Sequence, residues 1–229
     1  MKTYLDSGSL EDIKNYAKKR NISGFTTNPS LLRKSKINNY KEFVFKCKKI
    51  VGIKSISFEV TADDRSKILK QAKWLKENAK NCYIKVPVVN SKGRSNIRII
   101  KELQAKGCKL NITAVFTEKQ VVNIFKNIDT KKNCIISIFA GRIADTGKSP
   151  VKIINLALKK SQKKNKVKIL WASAREIYNF YEAKNLGCDI ITLDKSLINK
   201  LNLYNKNLNI YSQETSKQFF KDGKKIKFI

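Results

Sequence analysis

Cys82-Tyr83-Ile84-Lys85-Val86-Pro87-Val88 is a run that is apolar on both faces except for one lysine. A strand with one face in water alternates polar and apolar residues, whereas a parallel strand covered by helices on both faces does not. Seven other runs share this near-continuous pattern: Tyr4–Asp6, Gly24–Asn28, Ser55–Val60, Leu110–Phe116, Cys134–Ala140, Lys168–Ser173 and Asp189–Leu193. Segments with helical spacing lie between them. Ile68, Ala72, Leu75 and Ala79 step by four, three and four and make one helical face. Ile97, Ile100, Leu103 and Ala105 mark another helix, and Val151, Ile154, Leu156 and Leu158 open a third. Gln213–Phe220 reads as a last helix beyond the final unit.

Eight such strand–helix units within 229 residues predict an α/β chain folded as one (β/α)8 barrel. The domain is expected to span 1–229, with 210–229 as a C-terminal helix and tail. An open doubly wound sheet is the competing arrangement. No G-x-G-x-x-G or G-x-x-x-x-G-K-[ST] loop occurs, which weakens the nucleotide-binding form of that alternative.

Composition narrows the chemistry. The chain has no histidine, which excludes a Ser-His-Asp triad, a Cys-His pair and any imidazole metal ligand. Acid–base work falls to carboxylates, Tyr, Lys or Cys. The five cysteines, Cys47, Cys82, Cys108, Cys134 and Cys188, include no C-x-x-C pair, so neither a metal site nor a disulfide framework is expected. They read as core thiols suited to a reducing cytoplasm. The N-terminal stretch lacks an apolar signal core, and no run is long enough to cross a membrane.

The formal charge is +31, from 49 Lys+Arg against 18 Asp+Glu. That excess invites a polyanionic partner. Only 7 of the cations are arginine, however, and the 42 lysines are spread along the chain. Bidentate readers of bases and phosphates favour arginine. Lys, Asn and Ile are abundant together, as in proteins of AT-rich genomes. The charge therefore reads as a solvated surface, with no specific nucleic-acid partner.

In a (β/α)8 barrel the reacting groups stand at the C-terminal ends of the strands. Asp6 ends the first run, Thr26, Thr27 and Asn28 the second, and Glu59 lies near the end of the third. Asn111 and Thr113 lie in the fifth run; Ser137 lies in the sixth, with Gly141-Arg142 beyond. Ser173 ends the seventh, and Arg175 follows. Burying so many polar groups is costly unless they bond one another or a ligand. Lys85 alone among the lysines sits inside an apolar strand; Lys54 and Lys168 precede or open strands and belong to the opposite rim. A desolvated ammonium gives up its proton more readily, which frees an amine to form a Schiff base with a carbonyl. The iminium is then an electron sink for breaking or making the neighbouring C–C bond. The other reading of Lys85 is a structural ion cluster with Glu59 or Asp6, and local sequence leaves both open.

These residues resemble the transaldolase family of class I aldolases, above all its small members, which include the fructose-6-phosphate aldolases. The resemblance covers essentially the whole chain. It is carried by Tyr4-Leu5-Asp6, Gly24-Phe25-Thr26-Thr27-Asn28-Pro29-Ser30, Phe58-Glu59-Val60, Ile84-Lys85-Val86-Pro87, Asn111-Ile112-Thr113-Ala114-Val115-Phe116, Phe139-Ala140-Gly141-Arg142-Ile143 and Ala172-Ser173-Ala174-Arg175. It implies a barrel with Lys85 as the Schiff-base nucleophile and Asp6 as general acid/base. It implies that Glu59 and Thr113 hold a water and relay protons. Asn28 and Asn111 would bind substrate hydroxyls, with Thr27, Ser137 and Phe139 beside them, and Arg142, Ser173 and Arg175 would clamp a phosphate. Two guanidinium groups and a hydroxyl suit a sugar phosphate. No cofactor is needed, because the lysine supplies the covalent chemistry.

Fructose-6-phosphate aldolases carry Gln where Glu59 stands and Tyr where Phe139 stands; transaldolases carry Glu and Phe. A carboxylate can accept and return protons and a Gln amide cannot. Phe cannot protonate the enamine, which then waits for an acceptor aldehyde. Both positions favour transfer of a dihydroxyacetone unit from a ketose phosphate (sedoheptulose 7-phosphate or fructose 6-phosphate) to an aldose phosphate. An aldolase-type lyase is the alternative, and a non-catalytic basic barrel that binds nucleic acid a distant third. Ile138, Ala140 and Ala174 depart from the usual Pro, Val and Phe of transaldolases and reshape the phosphate end of the pocket. Small family members are often ring-shaped homo-oligomers, so the tail is expected to reach a neighbouring copy.

Overall fold

The computed structural model describes residues 1–80 and 82–227. Its strands follow the eight apolar runs, β1 and β7 beginning earlier than predicted and every strand but β1 trimmed at an end: β1 (Lys2–Asp6), β2 (Gly24–Thr26), β3 (Ser55–Glu59), β4 (Tyr83–Pro87), β5 (Leu110–Val115), β6 (Cys134–Ile138), β7 (Val167–Trp171) and β8 (Ile190–Leu193). Neighbours pair in parallel in chain order. β1 also pairs with β8, Tyr4 opposite Thr192, which closes the sheet into a barrel and removes the open doubly wound alternative. The chain divides into two compact units, residues 1–198 and residues 199–229. The first is the (β/α)8 barrel. The second carries the helix Leu208–Gly223, which is longer than the predicted Gln213–Phe220; residues 228 and 229 of the expected tail lie outside those described.

Side chains two apart on a strand share a face. On one face, Phe25, Phe58, Ile84, Val86, Ile112, Ile136 and Ile169 are buried. Phe58 meets Phe43 of the helix Tyr40–Val51 edge-on, with ring centroids 6.4 Å apart, so this face packs under the helices. The other face carries Thr26, Ser57, Lys85, Asn111, Ser137 and Thr192, all buried inside the barrel. Two residues earlier on the same face, Tyr4, Ile135 and Ile190 cluster with Leu170 and Ala172, and Tyr83 packs against them. A polar layer thus rests on an apolar floor.

Local chemistry starts the helices where the sequence needs them. Ser9, Asn39 and Asp64 each accept a backbone N–H from the first turn, and Thr117 makes a reciprocal capping box with Gln120. The helix Arg65–Asn78 buries Ile68, Ala72 and Leu75 as its spacing predicts. The helix Ile97–Ala105 departs from expectation: it buries Ile99 and Gln104, while Ala105 is exposed. Gln104 can be buried because its amide is satisfied, donating to the Asp129 carbonyl at 3.3 Å and accepting from the Asp129 N–H at 2.9 Å. Among the described residues, no helix is long and apolar enough to cross a membrane.

Candidate active site

Register brings the ionisable residues together at the strand ends. Glu59 lies opposite Lys85 across β3 and β4, and Lys85 lies opposite Asn111 across β4 and β5. Lys85 is 6% exposed. Its Nζ donates to the Thr27 carbonyl at 3.1 Å and lies 3.0 Å from Glu59 Oε2. The ammonium therefore has partners on both sides. Tyr40 braces the Glu59 backbone, its hydroxyl donating to the Glu59 carbonyl at 2.8 Å; burial pushes that phenol far above its ordinary range.

Asp6 stands across the barrel at the end of β1, and its Oδ1 accepts from Thr26 Oγ1 at 2.7 Å. Burial raises its carboxyl above the usual carboxylate range, against the opposing pull of Lys85 and the Thr26 hydrogen bond. The polar layer is further tied by Ser137 Oγ donating to Asn111 Oδ1 at 2.7 Å and Asn111 Nδ2 donating to Ser57 Oγ at 3.1 Å. Thr27 Oγ1 donates to the Ser57 carbonyl at 3.0 Å. Thr113 Oγ1 is buried without a hydrogen-bond partner among the described residues. The neighbouring Ala114 has φ +55, and the β5–β6 register shifts between Ile112 and Val115.

The polar layer opens into a cavity of about 250 Å³. Asp6, Asn28, Lys85, Ser137, Phe139, Arg142, Ser173 and Arg175 line it. Thr27, Glu59, Asn111 and Thr113 do not; the first two meet Lys85 directly, and Asn111 reaches the cavity through Ser137. Thr27 and Asn28 lie beyond β2. Asn28 instead caps the helix Pro29–Lys34, its Oδ1 accepting from the Leu31 N–H at 3.0 Å, with Pro29 at the first helical position.

The cationic rim depends on a close approach. A Cβ on Gly141 would sit 1.6 Å from the Ser173 carbonyl oxygen. Only glycine lets the helix Ala140–Ala144 press against the end of β7, which sets Arg142 beside Ser173 and Arg175. The Arg142 guanidinium lies 5.5 Å from the Phe139 ring centroid. Arg175 is held twice: its backbone N–H donates to Asn179 Oδ1 at 2.9 Å, and its Nε donates to Asp145 Oδ2 at 3.0 Å.

Sequence reasoning missed Asp145, Asn179, Thr192 and Asp194, the last two of which line the cavity. Thr192 carried a usable signal: like Lys85, it is one polar residue inside an apolar run. Lys54 and Lys168 stand at the other ends of their strands, Lys54 Nζ donating to the Lys19 carbonyl at 2.7 Å and Lys168 Nζ to Asp189 Oδ1 at 3.0 Å.

The site is thus a buried lysine in a closed parallel barrel, with one carboxylate against it, a second across the barrel and an arginine rim. Comparison with known proteins gives the family. The family model described as Transaldolase/Fructose-6-phosphate aldolase matches residues 3–228. A "Probable transaldolase" of Nitrosopumilus maritimus is 31% identical over 203 residues, covering 88% of this chain and 87% of that protein. One of Lactiplantibacillus plantarum is 31% identical over 204 residues, covering 88% of each. The chain belongs to the transaldolase/fructose-6-phosphate aldolase family. Among solved structures, a "putative dihydrodipicolinate synthase family protein" from Coccidioides immitis superposes with TM-score 0.60 at 10% identity, over 93% of this chain and 74% of that one. At that identity the likeness shows the fold alone.

Proposed function

We propose that this chain is a transaldolase in which Lys85 forms a Schiff base with a ketose phosphate and passes a dihydroxyacetone unit to an aldose phosphate. The observation that carries this reading is the placement of Lys85 Nζ: buried in the middle of β4, facing the cavity, and 3.0 Å from a carboxylate that can take its proton. The neutral amine adds to the ketose carbonyl, and loss of water leaves the iminium. Asp6 takes the proton of the substrate hydroxyl as the C–C bond breaks, and the bonding pair passes into the iminium to give an enamine. The enamine attacks the acceptor aldehyde, whose oxygen takes the proton back from Asp6. Water then frees Lys85, with Glu59 and the Thr113 hydroxyl holding that water.

Asn28 and Ser137 orient the sugar hydroxyls, with Asn111 acting behind Ser137 and Thr27 behind Lys85, and Arg142, Ser173 and Arg175 hold the phosphate. Phe139 offers the enamine no phenolic proton, which favours transfer of the dihydroxyacetone unit from sedoheptulose 7-phosphate or fructose 6-phosphate over simple cleavage. No metal or cofactor takes part. Borohydride reduction in the presence of fructose 6-phosphate, followed by peptide mass analysis, is expected to place one adduct on Lys85. The absence of an adduct there overturns the reading, and release of free dihydroxyacetone without an acceptor overturns the transferase form of it.

The same reading places the enzyme in the cytoplasm, in pentose phosphate metabolism; five free, buried cysteines support a reducing compartment. It also makes the enzyme a homo-oligomer built through the C-terminal unit, which exposes Leu208, Ile210, Phe219 and Phe220. A monomeric mass in light scattering overturns that assembly. The lysine-rich surface serves no specific nucleic-acid or membrane partner in this reading.

A further inference from the structure

Asp6 is reached by a chain of hydroxyls that extends beyond Thr26. Thr26 Oγ1 donates to Asp6 Oδ1 at 2.7 Å and lies 2.6 Å from Thr192 Oγ1. Both threonines are buried, at 2% and 5% exposure. A hydroxyl has one proton to give, and an ionised carboxylate has none. Thr26 directs its proton to Asp6, so the proton in the second contact belongs to Thr192.

We propose that Thr192 is a positioning residue for Asp6: by donating to Thr26 it keeps the Thr26 hydroxyl pointed at Oδ1, so that the proton Asp6 gains and returns is carried on Oδ2. The inference rests on the general acid/base role given to Asp6 above. Without the Thr192 hydroxyl, the Thr26 oxygen is free to accept, and a protonated Asp6 can turn its proton to Thr26 rather than to substrate. The ionised form also loses a donor that polarises its hydrogen bond. Three other charges face Asp6, Lys85 from β4, Glu59 from β3 and Asp194 just after β8, and a change at Thr192 leaves all three in place.

The test compares Thr192→Val with Thr192→Ser in the intact chain, reading kcat and KM for fructose 6-phosphate with an aldose phosphate acceptor across pH. Thr192→Val is expected to lose about tenfold in kcat, the worth of one hydrogen bond, with KM within about twofold. The acid limb of kcat is expected to move to higher pH, because a carboxylate with weaker hydrogen bonding holds its proton more tightly. Thr192→Ser, which keeps the hydroxyl, is expected to restore both. A Thr192→Val profile that overlays the parent's, a serine variant that fails to rescue, or a change in KM alone each overturns the proposal. Should the valine variant unfold by circular dichroism, Thr192→Ala against Thr192→Ser carries the same comparison. Full activity in Asp6→Asn overturns the Asp6 role and this inference with it; inactive Asp6→Asn beside an unaltered Thr192→Val overturns this inference alone.

Discussion

Lys85 Nζ and Glu59 Oε2 are 3.0 Å apart, and the two residues are in register across β3 and β4. Of the two readings that local sequence left open, the ion pair with Glu59 is present, and the proposed nucleophile role would use the same contact, with the carboxylate positioned to take the amine's proton. Glu59→Gln keeps the volume and a hydrogen bond but cannot exchange a proton. It is expected to lower transfer about 100-fold, the low end for general acid–base loss; a coupled assay with an unchanged rate rejects the role. Lys85→Met leaves the carboxylate without its cation. It is expected to cost about 2 kcal/mol in urea unfolding, less than for a fully buried pair because the Glu59 side chain is 14% exposed, with Glu59→Gln in the same chain recovering much of the loss.

The Arg175 guanidinium turns its Nε and Nη2 to the Asp145 carboxylate. That grip fixes the plane of the fork and engages no hydrogen of Nη1. Lysine offers a point charge and no fork. Arg175→Lys is expected to raise KM for the phosphorylated ketose about tenfold with kcat little changed. Asp145→Asn, which keeps the length but not the charge, is expected to raise it about threefold, since each half-exposed ion pair is worth little. Steady-state kinetics on fructose 6-phosphate against unphosphorylated fructose separate this from a general loss of activity: the effect belongs to the phosphorylated sugar.

Burial raises the Asp6 carboxyl above its ordinary value of 3.8. Between that value and its raised one, the folded chain binds more protons at this site than the unfolded chain does. Stability contributed by this group therefore falls as pH rises through that window and stays at its lower level above it. Asp6→Asn removes the penalty. It is expected to melt higher than the parent at neutral pH, with the two melting curves converging as pH falls toward 3.8. A difference in Tm that is the same at every pH sinks the assignment.

All five cysteines are buried and free. Burial holds the Cys82, Cys134 and Cys188 thiols up at about 12 and raises Cys47 and Cys108 as well. Thiolate, not thiol, is the nucleophile toward alkylating reagents. Iodoacetamide on the folded protein at mildly alkaline pH is expected to label none of them, and in denaturant all of them, as read by intact mass. Rapid labelling of any folded thiol contradicts the burial described.

How far the sequence reaches depends on the range of the interaction. Near-continuous apolar runs exposed the strands, because burial on two faces leaves a local mark. Lys85 was legible for the same reason in reverse: one charge in such a run has to be answered by something. Asn28 and Pro29 announce a helix start through neighbours three residues away. Asp145 gave no such sign. It lies in the mixed stretch Arg142-Ile143-Ala144-Asp145-Thr146-Gly147, and its partner Arg175 is 30 residues distant. Gly141 reads as an ordinary glycine until the Ser173 carbonyl is seen against it.

The sequence by itself determined that eight buried strands alternate with helices, that one lysine stands inside an apolar strand, that carboxylates end two of the strands and that arginines follow two others. These follow from local patterning and from the cost of burying charge. Only the tertiary structure decided that β1 pairs with β8, that Glu59 rather than Asp6 holds Lys85, and that the Thr192 hydroxyl meets that of Thr26 beside Asp6. Those choices are contacts between residues far apart in the chain. Barrel closure and strand register place them, and neither leaves a trace in the residues nearby.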